Sequence, residues 1–172
     1  MATHYRRAWR LAPLAVLALA VLVTPQRVRA DETIHGVSAT ELREIILARQ
    51  FTVEISFTGD ANDEPYILAQ NWPAHTFLVT FEGCGPHGDA VRRVCGRIVF
   101  YDSVTTMPTP APESIDAWNT AGRLGHAFLE DNGDIAIEAA IELSGGMTRA
   151  ELESMVETWV EDIREYKKAF VK

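Results

Sequence analysis

Apolar positions change period several times along this chain, and each change marks an element. Leu42, Ile45 and Ile46 recur at the spacing of one helix face, after Ser38-Ala39-Thr40-Glu41. In that tetrad the Ser38 hydroxyl can accept from the Glu41 amide while the Glu41 carboxylate reaches back, so a helix is predicted from there to about Gln50. Val53, Ile55 and Phe57 then alternate with Thr52, Glu54 and Ser56, the period of a half-buried strand. Residues 58–65 are a polar turn, and 66–70, 75–82 and 94–103 read as three further strands of an antiparallel meander. Pro108, Pro110 and Pro112 fix φ at alternate positions and predict a stiff connection off the sheet. A short helix containing Ile115 and Trp118 is expected to start at Glu113 or Ser114, and the chain turns extended again at Ala127, Phe128 and Leu129. Asn132-Gly133 between apolar runs is a strong hairpin signal, and the last strand covers 135–143. Thr148-Arg149-Ala150-Glu151 repeats the capping box, followed by a stripe of Leu152, Met155, Val156, Trp159, Val160, Ile163, Tyr166 and Phe170. The predicted class is α+β, an antiparallel sheet of about six strands, meander plus hairpin, packed against about three helices.

The first thirty residues follow a different logic. Arg6, Arg7 and Arg10 precede an apolar run over 11–23, and Val28-Arg29-Ala30 offers small or modest side chains just before Asp31-Glu32. This is the pattern of a secretory signal peptide over 1–30, with cleavage between Ala30 and Asp31 and a mature domain over 31–172. The apolar run is about 13 residues, short of the roughly 20 that span a bilayer, so no stable anchor is expected after cleavage. Cys84 and Cys95 lie far downstream of the junction, which excludes a lipid-modified cysteine there. Loss of the five leader arginines takes the formal net charge from −8 to −13. A domain so acidic repels phosphate backbones, which excludes nucleic acid as a partner. The address is periplasmic or secreted, in a bacterium.

Export shapes the reading of Cys84 and Cys95, since disulfides persist in oxidising compartments. The two cysteines flank the turn formers Gly85-Pro86-His87-Gly88-Asp89 between strand-like runs, so a bridge would close a hairpin near its loop. On a chain-entropy argument a loop of this size is worth roughly 3 kcal/mol. The alternatives are free thiols, or a metal site using Cys84, His87 and Cys95, which supplies three ligands. Asp60-Ala61-Asn62-Asp63-Glu64 resembles the start of a calcium loop, but Pro65 and Asn71 stand where glycine and a bidentate glutamate are needed. Asp131-Asn132-Gly133-Asp134 is explained by hairpin geometry. An anion at Gly145-Gly146 before the last helix would be opposed by Glu151 in its first turn. No Gly-x-Ser-x-Gly elbow is present, and His35, His75, His87 and His126 are isolated from one another. No catalytic residue, cofactor or metal ligand is assigned. A small exported hydrolase or a ligand-binding protein remains the alternative to a binding module.

Particular segments add a resemblance that covers nearly the whole mature chain. They are Leu47-Ala48-Arg49-Gln50-Phe51-Thr52-Val53, Phe81-Glu82-Gly83-Cys84, Trp118-Asn119, Gly125-His126-Ala127-Phe128-Leu129-Glu130-Asp131, Gly133-Asp134 and Gly145-Gly146-Met147-Thr148. With the order helix, meander, helix, hairpin, long helix, they make the chain resemble the YbjN family, described as bacterial sensory transduction regulators. The resemblance implies a fold similar to the small dimeric chaperones of type III secretion, and it implies no enzyme, since the family supplies no catalytic residues to carry over. Trp118 and Asn119 are read as structural, the indole in the core and the amide on local backbone. Many relatives lack a leader, so the partner implied here is another polypeptide of the cell envelope, or a second copy of the chain.

Overall fold

The computed structural model describes residues 32–59, 64–71, 75–86 and 89–171. The leader and its Ala30-Asp31 junction, the acidic residues 60–63 and His87 lie outside that range.

A two-residue strand, β1 (Thr33–Ile34), leads to α1 (Ala39–Leu47), whose start is the predicted capping box. Ser38 Oγ accepts from the Glu41 amide at 3.3 Å, and the Glu41 carboxylate accepts from the Ser38 amide at 3.0 Å. The helix stops at Leu47, three residues before the expected end, because Gln50 takes a left-handed φ of 66° that turns the chain into the sheet. β2 (Thr52–Phe57), β3 (Pro65–Asn71), β4 (His75–Cys84) and β5 (Cys95–Val104) then form the meander, with a 3-10 turn at Ala90–Arg92 before β5.

α2 (Pro112–Thr120) begins on the third proline of the connection, a correction to its assignment as stiff linker. Pro112 occupies the first helical turn, where the missing N–H has no helical partner to lose and φ is already suitable. β6 (His126–Leu129) and β7 (Ile135–Glu142) form the predicted hairpin. The turn is longer than the two residues that Asn-Gly suggests: the Glu130 amide donates to the Asp134 carbonyl at 2.9 Å, and Gly133 supplies φ 88°. β8 (Met147–Thr148) pairs with β1, a two-stranded ribbon too short to show a period in sequence, and α3 (Arg149–Phe170) follows from the Thr148 cap.

The main sheet is antiparallel, in the order β2-β3-β4-β5-β7-β6. The second strand of the hairpin therefore docks on β5 and the first becomes the edge. Strand alternation sends Ile67, Ala69, Phe77, Val79, Phe81, Ile98, Phe100, Ile137 and Ile141 to one face, where α1 and α3 bury them. Trp159, fully buried, packs its ring 6.0 Å from Phe77 and 5.4 Å from Phe100, and Trp118, Tyr166 and Phe170 make a second aromatic cluster. Each such side chain contributes about 1.5–3 kcal/mol on transfer from water.

Polar side chains fasten α2 to this core. Trp118 Nε1 donates to the Gly125 carbonyl at 2.9 Å, and Asn119 pairs with both backbone groups of Ala127. Asp162 of α3 is buried and one of its oxygens accepts the Leu124 and Gly125 amides, each at 2.9 Å.

Candidate interaction surface

Among the described residues the other face of the sheet carries no helix, yet it is not polar throughout. Register partners line up across the strands: Glu54, Leu68, Leu78, Tyr101, Glu138 and His126 form one row. Ser56, Tyr66, Thr80, Val99 and Ala140 form the next, and Phe128 lies opposite Ala136 toward the hairpin. Directly opposed residues approach to about 4.5–5.5 Å between Cβ atoms, so Tyr66, Leu68, Leu78, Val99 and Tyr101 make one contiguous apolar strip. None of them belongs to the buried core cluster, and all but Val99 are only half-buried. Glu54, Glu138 and Glu142, exposed, stand around the strip, while Glu82 and Arg97 pair at 2.5 Å at its cysteine end.

One hydrogen-bonded group in this region has the composition of an acid–base site. Tyr101 Oη donates to Glu130 Oε1 at 2.6 Å and Ser103 Oγ to Glu130 Oε2 at 2.7 Å. The two hydroxyls hold the Glu130 carboxyl below its usual range, and burial, then the bond to Glu130, pushes the Tyr101 phenol up. Both shifts move away from neutrality, the opposite of what general acid–base work requires. The triad fixes the hairpin loop to β5.

The residues singled out in sequence are dispersed. Cys84 and Cys95 are register partners of β4 and β5 with their sulfurs bonded, and Cys95 also exchanges two backbone hydrogen bonds with Val37. His35 meets the Ser144 carbonyl at 3.2 Å, His126 is exposed on the edge strand, and His75 begins β4. Among the described residues no three His, Cys, Asp or Glu side chains are placed to hold a metal ion. Asn132 Oδ1 accepts from the Asp134 amide at 2.9 Å, a local turn contact. The calcium-like residues 60–63 and His87 lie outside the described residues.

Two buried charges escaped the sequence reading. Asp102, on the core side of β5, pairs with Lys167 of α3; burial pushes its carboxyl up and the lysine opposes the shift. Asp162 interrupts the apolar stripe of α3 next to Ile163, and that interruption was the available signal.

The described residues thus form an α+β domain with one helix-covered sheet face and one open face that carries an apolar strip. No helix among the described residues is long and apolar enough to cross a membrane. The chain belongs to the YbjN family, whose description reads "Putative bacterial sensory transduction regulator" and whose profile matches residues 38–172. That is a regulatory class, and the α+β arrangement predicted from sequence is the one present. No curated protein matches the chain significantly, and no solved structure does.

Proposed function

We propose that the chain is exported, loses residues 1–30, and acts in the cell envelope as a noncatalytic module that binds another polypeptide through the open sheet face. The observation that carries this reading is the strip of Tyr66, Leu68, Leu78, Val99 and Tyr101, which no helix covers among the described residues. Contiguous apolar surface of this kind marks an interaction site, and polar edges around it set the chemistry of the partner. Glu54, Glu138 and Glu142 fit a partner whose apolar segment is flanked by lysine or arginine, and the acidic domain steers such a partner. The leader pattern supports the compartment.

The test is crosslinked capture from envelope extracts with the mature chain and with Leu78→Asp and Glu138→Lys, followed by reconstitution with the captured polypeptide. The reading expects one polypeptide whose affinity falls tenfold or more in both variants, with Tm within about 2 °C because both positions lie outside the core. Equal binding by both variants overturns it. So does turnover of a defined substrate abolished by one His or carboxylate substitution in a chain that stays folded. A concentration-dependent dimer in sedimentation, lost in Leu78→Asp, replaces the unlike partner by a second copy of the chain.

A further inference from the structure

A pocket of about 420 Å³ lies where the start of β4 meets the last turns of α3, lined among the described residues by His75, Arg164, Lys167, Lys168 and Val171. Four of these five side chains are basic, in a chain of net charge −8. The free carbonyls at the end of α3 account for some cations there. They do not account for His75, which comes from the sheet.

The charges are unequally committed. Lys167 is tied to the buried Asp102, and Lys168 meets Glu165 at 2.7 Å in an exposed pair that holds it weakly. Arg164 is exposed and has no ion-pair partner among the described residues. His75 Nδ1 is buried without a hydrogen-bond partner among the described residues, and the ring lines a pocket whose other polar side chains are cationic.

We infer that this pocket binds a phosphate-type oxyanion, with Arg164 as a two-point donor, Lys168 as a second charge, and His75 as a ring donor that takes up a proton from solvent on binding. A guanidinium fork matches two oxygens of such a group, and charge-assisted bonds are the strong ones. The volume leaves room beside a lone oxyanion, and Val171 adds an apolar wall, so a small phosphate ester fits as well as the free ion. Burial first, then Arg164, Lys167 and Lys168, holds the His75 pKa below its usual value. The carboxylates paired with the pocket's lysines, Asp102 with Lys167 and Glu165 with Lys168, are already engaged. An anion reverses the balance at the ring, which links binding to proton uptake.

The test uses the full mature chain and three probes: inorganic phosphate, glycerol 3-phosphate, and sulfate, whose charge is constant over the range. Side-chain NMR of His75 should show its pKa rising by about 1 unit at saturation with sulfate, while His35 and His126 stay put. Affinity for all three probes should fall tenfold or more in Arg164→Gln and in Lys168→Met. Glycerol 3-phosphate ahead of inorganic phosphate identifies an ester site and the reverse order a free-ion site; both support the assignment. Unmoved His75 resonances with all three probes, or unchanged affinity in both variants, overturn it. Glu138→Lys serves as the independent control, because it disables the open face and leaves this pocket intact.

Discussion

Asp162→Ala is the substitution with the clearest expected cost. One carboxylate oxygen accepts the amides of Leu124 and Gly125, which lie in the turn between α2 and β6 and have no sheet partner. The residue is 5% exposed, so water does not replace it. Two N–H groups left unpaired, one buried and one part-buried, cost about 1–3 kcal/mol each, or about 2–6 kcal/mol together. Asp162→Asn can place its amide oxygen at the same point and keep both bonds in uncharged form, a loss of about 1 kcal/mol. Arg123→Ala removes a 3.4 Å ion pair and the guanidinium 4.0 Å above the Trp118 ring, about 1 kcal/mol at such a partly exposed site. The expected order is therefore wild type, then Asn and Arg123→Ala close together, then Ala. Urea unfolding with an unchanged m value measures it. If Asp162→Ala costs less than about 0.5 kcal/mol, or Asn costs as much as Ala, the two amides are not what the carboxylate holds.

Replacing Cys84 and Cys95 together by Ser should lower stability by roughly 1–3 kcal/mol without unfolding the chain, and two alkylatable thiols in freshly isolated protein would refute the bridge. Intact mass of envelope-derived protein should begin at Asp31, and a dominant species retaining residues 11–23 would make that segment an anchor. His75 has a depressed pKa in the folded chain, so its contribution to stability is present above pH 6.5 and is lost as pH falls through the folded value. Urea midpoints between pH 7.5 and 5.5 should accordingly fall further in wild type than in His75→Gln; an equal or larger fall in the variant contradicts the sign.

What could be read without coordinates was local. Both capping boxes close as their residues suggested, because a serine or threonine and a glutamate three positions on need nothing outside one helical turn. The same holds for Asn119, whose partner Ala127 is eight residues away. Features that depend on distant chain were invisible. β1 and β8 are two residues each and exist only as partners of one another. Lys167 stands in the last turn of α3, where the helix dipole alone accounts for a cation, and nothing in its sequence neighbourhood points to Asp102 across the core. Gly125 could have been any turn glycine, but a Cβ there would lie 2.5 Å from Ile137 Cδ1, so the packing of β7 requires it.

The open face was legible in one respect that strand periodicity alone passed over. A sheet covered on one side should alternate apolar and polar, and β2 and most of β7 do so with Glu54, Glu138 and Glu142 on the bare side. The central strands do not: Tyr66-Ile67-Leu68-Ala69 in β3, Phe77-Leu78-Val79 in β4 and Ile98-Val99-Phe100-Tyr101 in β5 are apolar on both sides. Such runs belong to strands buried on two faces. The described helices bury only one face, and the second set of side chains, Tyr66, Leu68, Leu78, Val99 and Tyr101, is the set that forms the strip. Stability of the isolated fold does not require apolar residues there, since the polar partners at the same level, Thr80 and Glu54, sit in the same sheet without disturbing it. A second covering layer does require them, and that is the physical reason the proposed partner is placed on this face rather than on the helices.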